Sequence, residues 1–172
     1  FLSTGTTVSE GQGSVLLQVA LSAPSGRAVT VEVAASGSAE LGSDYTLAQT
    51  ILEFPAGSVV AELVVDLLDD PFDEADEDLV LTLGNPANAG LGTAQSITLT
   101  LTDDDPTPKL SFVQSALQVS EGDGTATLGL QLSSPSASDI TVPISATGSL
   151  TADQDFVALP GALVIPGGTT TA

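Results

Sequence analysis

The amino-acid sequence predicts an all-β protein built as an antiparallel β-sandwich, and three observations lead to this fold class. Apolar residues recur at every second position in several short segments, as in strands with one face in a core. Gly, Pro, Ser and Asn cluster between those segments, where turns are expected. Aromatic residues make up only 3% of the chain, so a core would consist of Val, Leu, Ile and Ala, and β-branched side chains fit pleated sheets well.

Seven strands are predicted in the first 105 residues. Two short strands are expected at residues 6–9 and 50–54. Five longer ones are indicated by alternating apolar sets, which are Val15, Leu17, Val19 and Leu21; Val29, Val31 and Val33; Leu63, Val65 and Leu67; Leu79, Leu81 and Leu83; and Ile97, Leu99 and Leu101. Seven short strands over this length are typical of an immunoglobulin-like sandwich, with a small barrel as the competing architecture.

The sequence repeats itself at an offset of 111 residues without a gap. Residues 8–11, Val-Ser-Glu-Gly, recur at 119–122, and the Asp-Tyr pair at 44–45 aligns with Asp-Phe at 155–156. We therefore expect a complete repeat over residues 1–105, a short Pro-containing linker over 106–109, and the N-terminal part of a second repeat over 110–172. A truncated second copy would leave apolar strand faces uncovered, so we expect it either to be mobile or to pair with another molecule.

The charge of the chain is strongly one-sided, with 22 Asp and Glu residues against 2 Lys and Arg residues and a formal net charge of −20. Nucleic acid and anionic membrane surfaces attract basic patches, so both are poor candidate partners. The chain has no Cys and no His, which excludes disulfides, thiolate or imidazole metal sites and Ser-His-Asp triads. No apolar run approaches the roughly 18 residues of a membrane helix, so no membrane insertion is expected.

Half of the acidic residues lie in two short segments, 66–78 and 103–105, and each segment follows the apolar end of a predicted strand. The sandwich could bring both segments to one pole, where Glu10 and Asp44 could join them. Two carboxylates about 5 Å apart repel by about 3 kcal/mol at an effective dielectric constant of 20, so their convergence requires cations. Calcium accepts six to eight oxygen ligands in flexible geometry, which favours a calcium site holding several ions. Alternatively, the acids form a solvated surface that gives solubility.

Taken in consecutive order, these motifs resemble a Calx-β repeat, a module of sodium/calcium exchangers, integrin β4 and many bacterial surface proteins. The resemblance covers the whole first repeat and the beginning of the second. The matching segments are 8–11 (Val-Ser-Glu-Gly), 42–45 (Gly-Ser-Asp-Tyr), 52–57, 68–77 with its paired acids, 83–86, 91–92 and 102–105 (Thr-Asp-Asp-Asp). The resemblance implies a seven-stranded immunoglobulin-like sandwich with calcium bound at one pole.

Carried over position by position, the resemblance also implies a set of calcium ligands. In the first repeat they are Glu10, Asp44, Asp69, Asp70, the backbone carbonyl of Phe72, Glu74, Glu77, Asp103, Asp104 and Asp105. Asp73, Asp76 and Asp78 are expected to be solvated, and Pro71 stands where a further acid is common, which reduces the expected number of ions. The second copy keeps only Glu121 and Asp155, a partial site with too few carboxylates to enclose calcium.

These features predict a non-catalytic calcium-binding module of a larger secreted or cell-surface protein, extracellular and of bacterial type. Calcium would rigidify the repeat and its junction to neighbouring repeats, which suits a spacer or adhesion role, and the truncated copy could mediate self-association. A regulatory calcium sensor, as in sodium/calcium exchangers, is the alternative. A glycosidase with paired carboxylates would need a cleft flanked by two differently tuned acids, and nothing in the sequence indicates one.

Overall fold

The structure is a computed structural model that describes residues 1–3 and 5–172, apart from the side chain of Glu121. The chain divides into two compact units. The first comprises Phe1–Asp70 with Ala75–Asp104, and the second comprises Pro71–Glu74 with Asp105–Ala172. In the described part of the chain, no helix is long and apolar enough to cross a bilayer.

The first unit is a sandwich of two β-sheets. One sheet has five strands in the order β1-β8-β7-β3-β5, and the other has three in the order β2-β6-β4. The strands are β1 (Gly5–Ser9), β2 (Ser14–Ala20), β3 (Val29–Gly37), β4 (Tyr45–Leu47), β5 (Ile51–Phe54), β6 (Val60–Leu67), β7 (Glu77–Ala87) and β8 (Ser96–Thr102).

The core lies between the two sheets and consists of the alternating residues that the sequence indicates. All of them are buried except Leu21, which is partly buried and packs against the core. Leu63 and Val65 of one sheet and Leu79, Leu81 and Leu99 of the other have no exposed surface. The prediction of an all-β sandwich is therefore confirmed.

Two details of the first unit differ from the predicted seven-stranded antiparallel arrangement. The additional strand β4 pairs with the end of β6, and it is too short to show an alternating pattern. Strand β1 pairs with β8 in parallel, with Ser9 opposite Thr102. The two strands are far apart in sequence, so no tight turn forces them to be antiparallel. As a result, β1 and β8 both end at the same edge of the sandwich.

The second unit contains two small antiparallel sheets, β10-β9 and β11-β12. Its strands are β9 (Leu110–Phe112), β10 (Leu130–Leu132), β11 (Ile140–Pro143) and β12 (Ala162–Ile165). Its apolar side chains are less well covered than their counterparts in the first unit. Val119 and Leu128 are 53% and 56% exposed, whereas Val8 and Leu17 are 6% and 5% exposed. The second unit therefore exposes apolar side chains whose counterparts in the first unit are buried.

Candidate metal centre

Three chain segments of the first unit meet where strands β1, β6 and β8 end. A 3-10 turn, Glu10–Gln12, directly follows β1, and Asp103 and Asp104 directly follow β8. The parallel pairing of β1 with β8 places these two segments side by side. Strand β6 is tied to the same place, because the Leu67 N–H donates to the Gly13 carbonyl at 2.9 Å. Asp69 follows β6 two residues later.

Three carboxylates converge at this edge. Oxygen atoms of Glu10, Asp69 and Asp104 all lie within 4.8 Å of one another, with Glu10 half-buried and the two Asp side chains exposed. A carboxylate oxygen of Asp103 also lies within 4.8 Å of one of Glu10. We call Glu10, Asp69, Asp103 and Asp104 the carboxylate cluster.

Asp104 contacts two residues at the end of β1 and in the turn that follows it, Ser9 and Gly11. The Ser9 hydroxyl donates to Asp104 Oδ2 at 2.5 Å. The same oxygen lies over Gly11, where a Cβ atom in ideal geometry would be 2.7 Å from it. The carboxylate thus occupies space that a side chain at position 11 would fill.

The donor set of the carboxylate cluster determines which cation it suits. Each pair of ionised carboxylates at about 4.8 Å repels by about 3 kcal/mol at an effective dielectric constant of 20, less where water and salt screen exposed groups. Arg27 and Lys109 are the only basic side chains in the sequence, so protein cations are scarce. Purely carboxylate ligation is typical of hard divalent cations, and its chemistry fits calcium.

Asp44 lies in a turn before β4, and its carboxylate is engaged with the backbone. Its Oδ2 accepts a hydrogen bond from the Glu40 N–H at 2.5 Å, and its carbonyl accepts one from the Leu68 N–H at 2.9 Å. In the second unit Asp155 Oδ2 accepts from the Thr151 N–H at 2.8 Å, so the same turn recurs there. Among the described residues, neither Asp44 nor Asp155 belongs to a group of three convergent ligand side chains.

The turn at Asp44 also seats the only tyrosine of the sequence in the core. Tyr45 is 4% exposed, and burial raises the pKa of its phenol, with a further increase from the neighbouring Asp44 carboxylate. The neutral phenol is therefore favoured in the folded chain.

The remaining predicted ligands are distributed over both compact units. Asp70 follows Asp69 as an exposed residue, and Glu77 begins β7 opposite Leu101 of β8. Phe72, Glu74 and Asp105 belong to the second unit. The predicted second-copy ligand Glu121 has a side chain outside the described residues.

Two of the acids expected to be solvated are exposed and also accept hydrogen bonds. Asp78 Oδ1 accepts from the Thr100 hydroxyl at 2.8 Å, and Asp76 Oδ1 accepts from the Asp103 N–H at 3.3 Å. Asp76 thereby orients the backbone of the carboxylate cluster.

The acidic loop between β6 and β7 runs through both units, because Pro71–Glu74 belong to the second. In that unit the Asp73 carbonyl accepts a hydrogen bond from the Ala137 N–H at 3.3 Å and another from the Ser136 hydroxyl at 3.3 Å. Ser136 is 7% exposed, so this contact is partly shielded from water.

The sequence did not indicate that Ser9 and Gly11 are neighbours of the Asp104 carboxylate. Both lie within a motif that the sequence singles out, but nothing in the sequence shows that Asp104, more than ninety positions later, contacts them.

Comparison with known proteins gives consistent matches. The model of the Calx-beta domain family matches residues 1–105 and 103–172. Sodium/calcium exchanger 2 of Rattus norvegicus is 31% identical over 156 residues, covering 78% of this chain and 16% of the exchanger, and the Homo sapiens exchanger 2 gives the same figures. The chain therefore spans less than a fifth of these relatives.

Solved structures give a corresponding match in fold. The crystal structure of calcium binding domain CBD12 of CALX1.1 has a TM-score of 0.55 and 23% identity, covering 98% of this chain and 70% of that one. The apo-form Calx CBD1 domain has a TM-score of 0.52 and 25% identity, covering 59% of this chain and 90% of that one.

Proposed function

This chain belongs to the Calx-beta domain family, and we propose that it is a non-catalytic calcium-binding module whose first unit holds the ions. The observation that carries this proposal is the convergence of Glu10, Asp69 and Asp104, whose carboxylate oxygens lie within 4.8 Å of one another. The similarity in fold to CBD12 of CALX1.1, a calcium binding domain, supports it.

In this proposal the carboxylate cluster supplies the first ligands, and the resemblance adds Asp44, Asp70 and Glu77 from the same unit. Phe72, Glu74 and Asp105, which the resemblance also implies, stay a prediction from the sequence. Calcium would supply the positive charge that the sequence lacks. Several ions are proposed because the number of carboxylates exceeds what one ion requires.

Calcium would stabilise the first unit through linkage. The folded chain gathers acids from three distant segments, whereas the unfolded chain does not, so calcium binds the folded state preferentially. One site in a hundredfold excess of ligand over its dissociation constant adds about 2.7 kcal/mol to the free energy of unfolding.

The acidic loop also supports a role at the junction between repeats. Asp69 and Asp70 directly precede the segment Pro71–Glu74, which belongs to the second unit. An ion bound by Asp69 would restrain the chain just before this segment. We propose that calcium thereby stiffens the junction, as a spacer or adhesion module of a secreted or cell-surface protein requires.

A regulatory calcium sensor is the second candidate role, and the similarity to sodium/calcium exchanger 2 favours it. The two roles differ in affinity. Dissociation constants of about 0.1 to 1 mM suit extracellular modules, whereas about 0.1 to 10 μM suits intracellular sensing. A calcium titration of the whole chain separates them.

Thermal unfolding of the whole chain tests calcium binding itself. We expect the melting temperature to rise by several degrees when calcium replaces a chelator, and to rise less with magnesium at the same concentration, because magnesium is dehydrated reluctantly. A melting temperature that is the same in calcium and in chelator would refute the proposal.

We also propose that the second unit self-associates through its exposed apolar side chains. Val119 and Leu128 occupy positions that are buried in the first unit, and a second copy would cover them. Sedimentation of the whole chain should show dimers that Leu128→Asp dissociates. A chain that remains monomeric at 100 μM, a test concentration about a hundredfold above a micromolar dissociation constant, would contradict this.

A further inference from the structure

We propose that Ser9 and Gly11 are positioning residues that hold Asp104 in place for calcium. This inference rests on the proposed function, and it concerns how one ligand of the carboxylate cluster is oriented. Glu10, which belongs to that cluster, lies between the two residues in sequence, so one short segment supplies a ligand and the support for another.

Gly11 has no side chain, and this leaves room for the Asp104 carboxylate. A Cβ atom at this position would lie 2.7 Å from Asp104 Oδ2, and real Cβ atoms essentially never approach a heavy atom within 3.0 Å. The next closest atoms, Cγ and Oδ1 of Asp104, would be 3.5 Å away. An alanine at position 11 would therefore displace the carboxylate from its present place.

That displacement should affect binding more than folding. Asp104 is exposed and lies two residues beyond the end of β8, so its side chain can rotate towards water without disturbing the core. Gly11 does not have a positive φ, so alanine is tolerated by the backbone. Alanine at position 11 should therefore change the position of the Asp104 carboxylate and leave the stability of the fold unchanged.

Ser9 acts through its hydroxyl group. It donates to Asp104 Oδ2 at 2.5 Å, and its backbone is fixed at the end of β1 opposite Thr102 of β8. A donor on a paired strand restricts the rotamers of Asp104 and leaves its other lone pairs available to a cation. Residues that orient metal ligands in this way typically change metal affinity by about 10-fold to 100-fold when removed.

The second repeat provides matched controls. Ser120 and Gly122 are the counterparts of Ser9 and Gly11 at the offset of 111 residues. A Cβ atom on Gly122 would meet nothing within 4 Å. The same substitution can therefore be made once beneath a carboxylate and once in open space.

Calorimetric titration of the whole chain with calcium chloride tests this inference, together with melting temperatures in chelator. For Gly11→Ala and for Ser9→Ala we expect calcium affinity to fall by about 10-fold. The affinity of Gly122→Ala should be unchanged, and Ser9→Thr, which keeps the hydroxyl, should stay close to the original chain. The melting temperature of Gly11→Ala in chelator should match that of Gly122→Ala.

The outcomes separate this inference from the proposed function. If the original chain binds calcium and both Gly11→Ala and Ser9→Ala bind equally well, the positioning role is wrong and the function stands. The melting temperature in chelator shows whether a variant destabilises the calcium-free chain. If that destabilisation is large enough to account for the whole loss of calcium affinity in either variant, the residue has a structural role and the inference is also wrong. If the original chain does not bind calcium, both proposals fail.

Discussion

At the scale of single residues, the charges of Asp69 and Asp104 should lower the stability of the first unit without calcium and raise it with calcium. Without calcium their charges repel Glu10 across less than 4.8 Å, so removing one charge should stabilise the first unit. In the proposed calcium site both are ligands, so the same change should reduce the stabilisation that calcium gives.

For Asp69→Asn and for Asp104→Asn we therefore expect a melting temperature that is higher by a few degrees in chelator and a smaller rise on adding calcium. Glu53→Gln is the matched control, because Glu53 lies on β5 at the opposite edge of the five-stranded sheet. It removes one negative charge without touching the carboxylate cluster. If all three variants respond to calcium alike, the change reflects net charge rather than ligation.

Tyr45 links the stability of the first unit to alkaline pH. Its phenol has a raised pKa in the folded chain because of burial and the Asp44 charge, whereas the unfolded chain titrates near the ordinary value of about 10. The unfolded state therefore loses the proton first, and the free energy of unfolding falls as the pH rises above about 10.

Urea unfolding at pH 8 and pH 10.5 measures this effect, and Tyr45→Phe is the informative variant, because Phe occupies the counterpart position 156. We expect the original chain to lose more stability between the two pH values than the variant does. Equal losses would show that other groups dominate in this range.

At the scale of strands, the sequence predicted what a local pattern can encode. Residues such as Leu63, Leu79 and Leu99 alternate with polar ones because each strand has one face in the core, so strand positions were predictable. The parallel pairing of β1 with β8 and the short strand β4 were not, because both depend on contacts between distant segments.

The same distinction applies to the candidate site. That acids follow strand ends was visible in the sequence, and the convergence of Glu10, Asp69 and Asp104 agrees with one predicted pole. The roles of Ser9 and Gly11 depend on which side chain lies above them, and no local pattern contains that information. The full ligand set stays a prediction.

The pairing of β3 with β7 depends on one glycine. Gly37 ends β3 opposite Leu79, has a φ of 126°, and a Cβ atom on it would overlap the Asp78 carbonyl oxygen. Because that obstacle is backbone in a sheet, it cannot move aside cheaply.

Gly37→Ala should therefore lower the free energy of unfolding by at least about 2 kcal/mol, measured by urea unfolding. Gly26→Ala is the control, because a Cβ atom there would meet nothing within 4 Å. A loss for Gly37→Ala no larger than that for Gly26→Ala would show that the β3 and β7 strands can separate locally at little cost.

At the scale of the whole molecule, the formal charge of −20 is unevenly placed. Seventeen of the 22 acids precede Pro106, and eleven of these lie in the segments 66–78 and 103–105. A few divalent ions bound there would cancel a large share of the net charge. Calcium should therefore make the melting temperature of the chain less sensitive to salt concentration.

Calorimetric titration with calcium tests most directly whether the carboxylate cluster binds calcium. It compares the whole original chain with a variant that carries both Asp69→Asn and Asp104→Asn. We expect saturable binding of at least one ion per chain in the original protein, and loss of that binding in the double variant. Absence of binding in the original chain, or unchanged binding in the double variant, would contradict a calcium site at the carboxylate cluster.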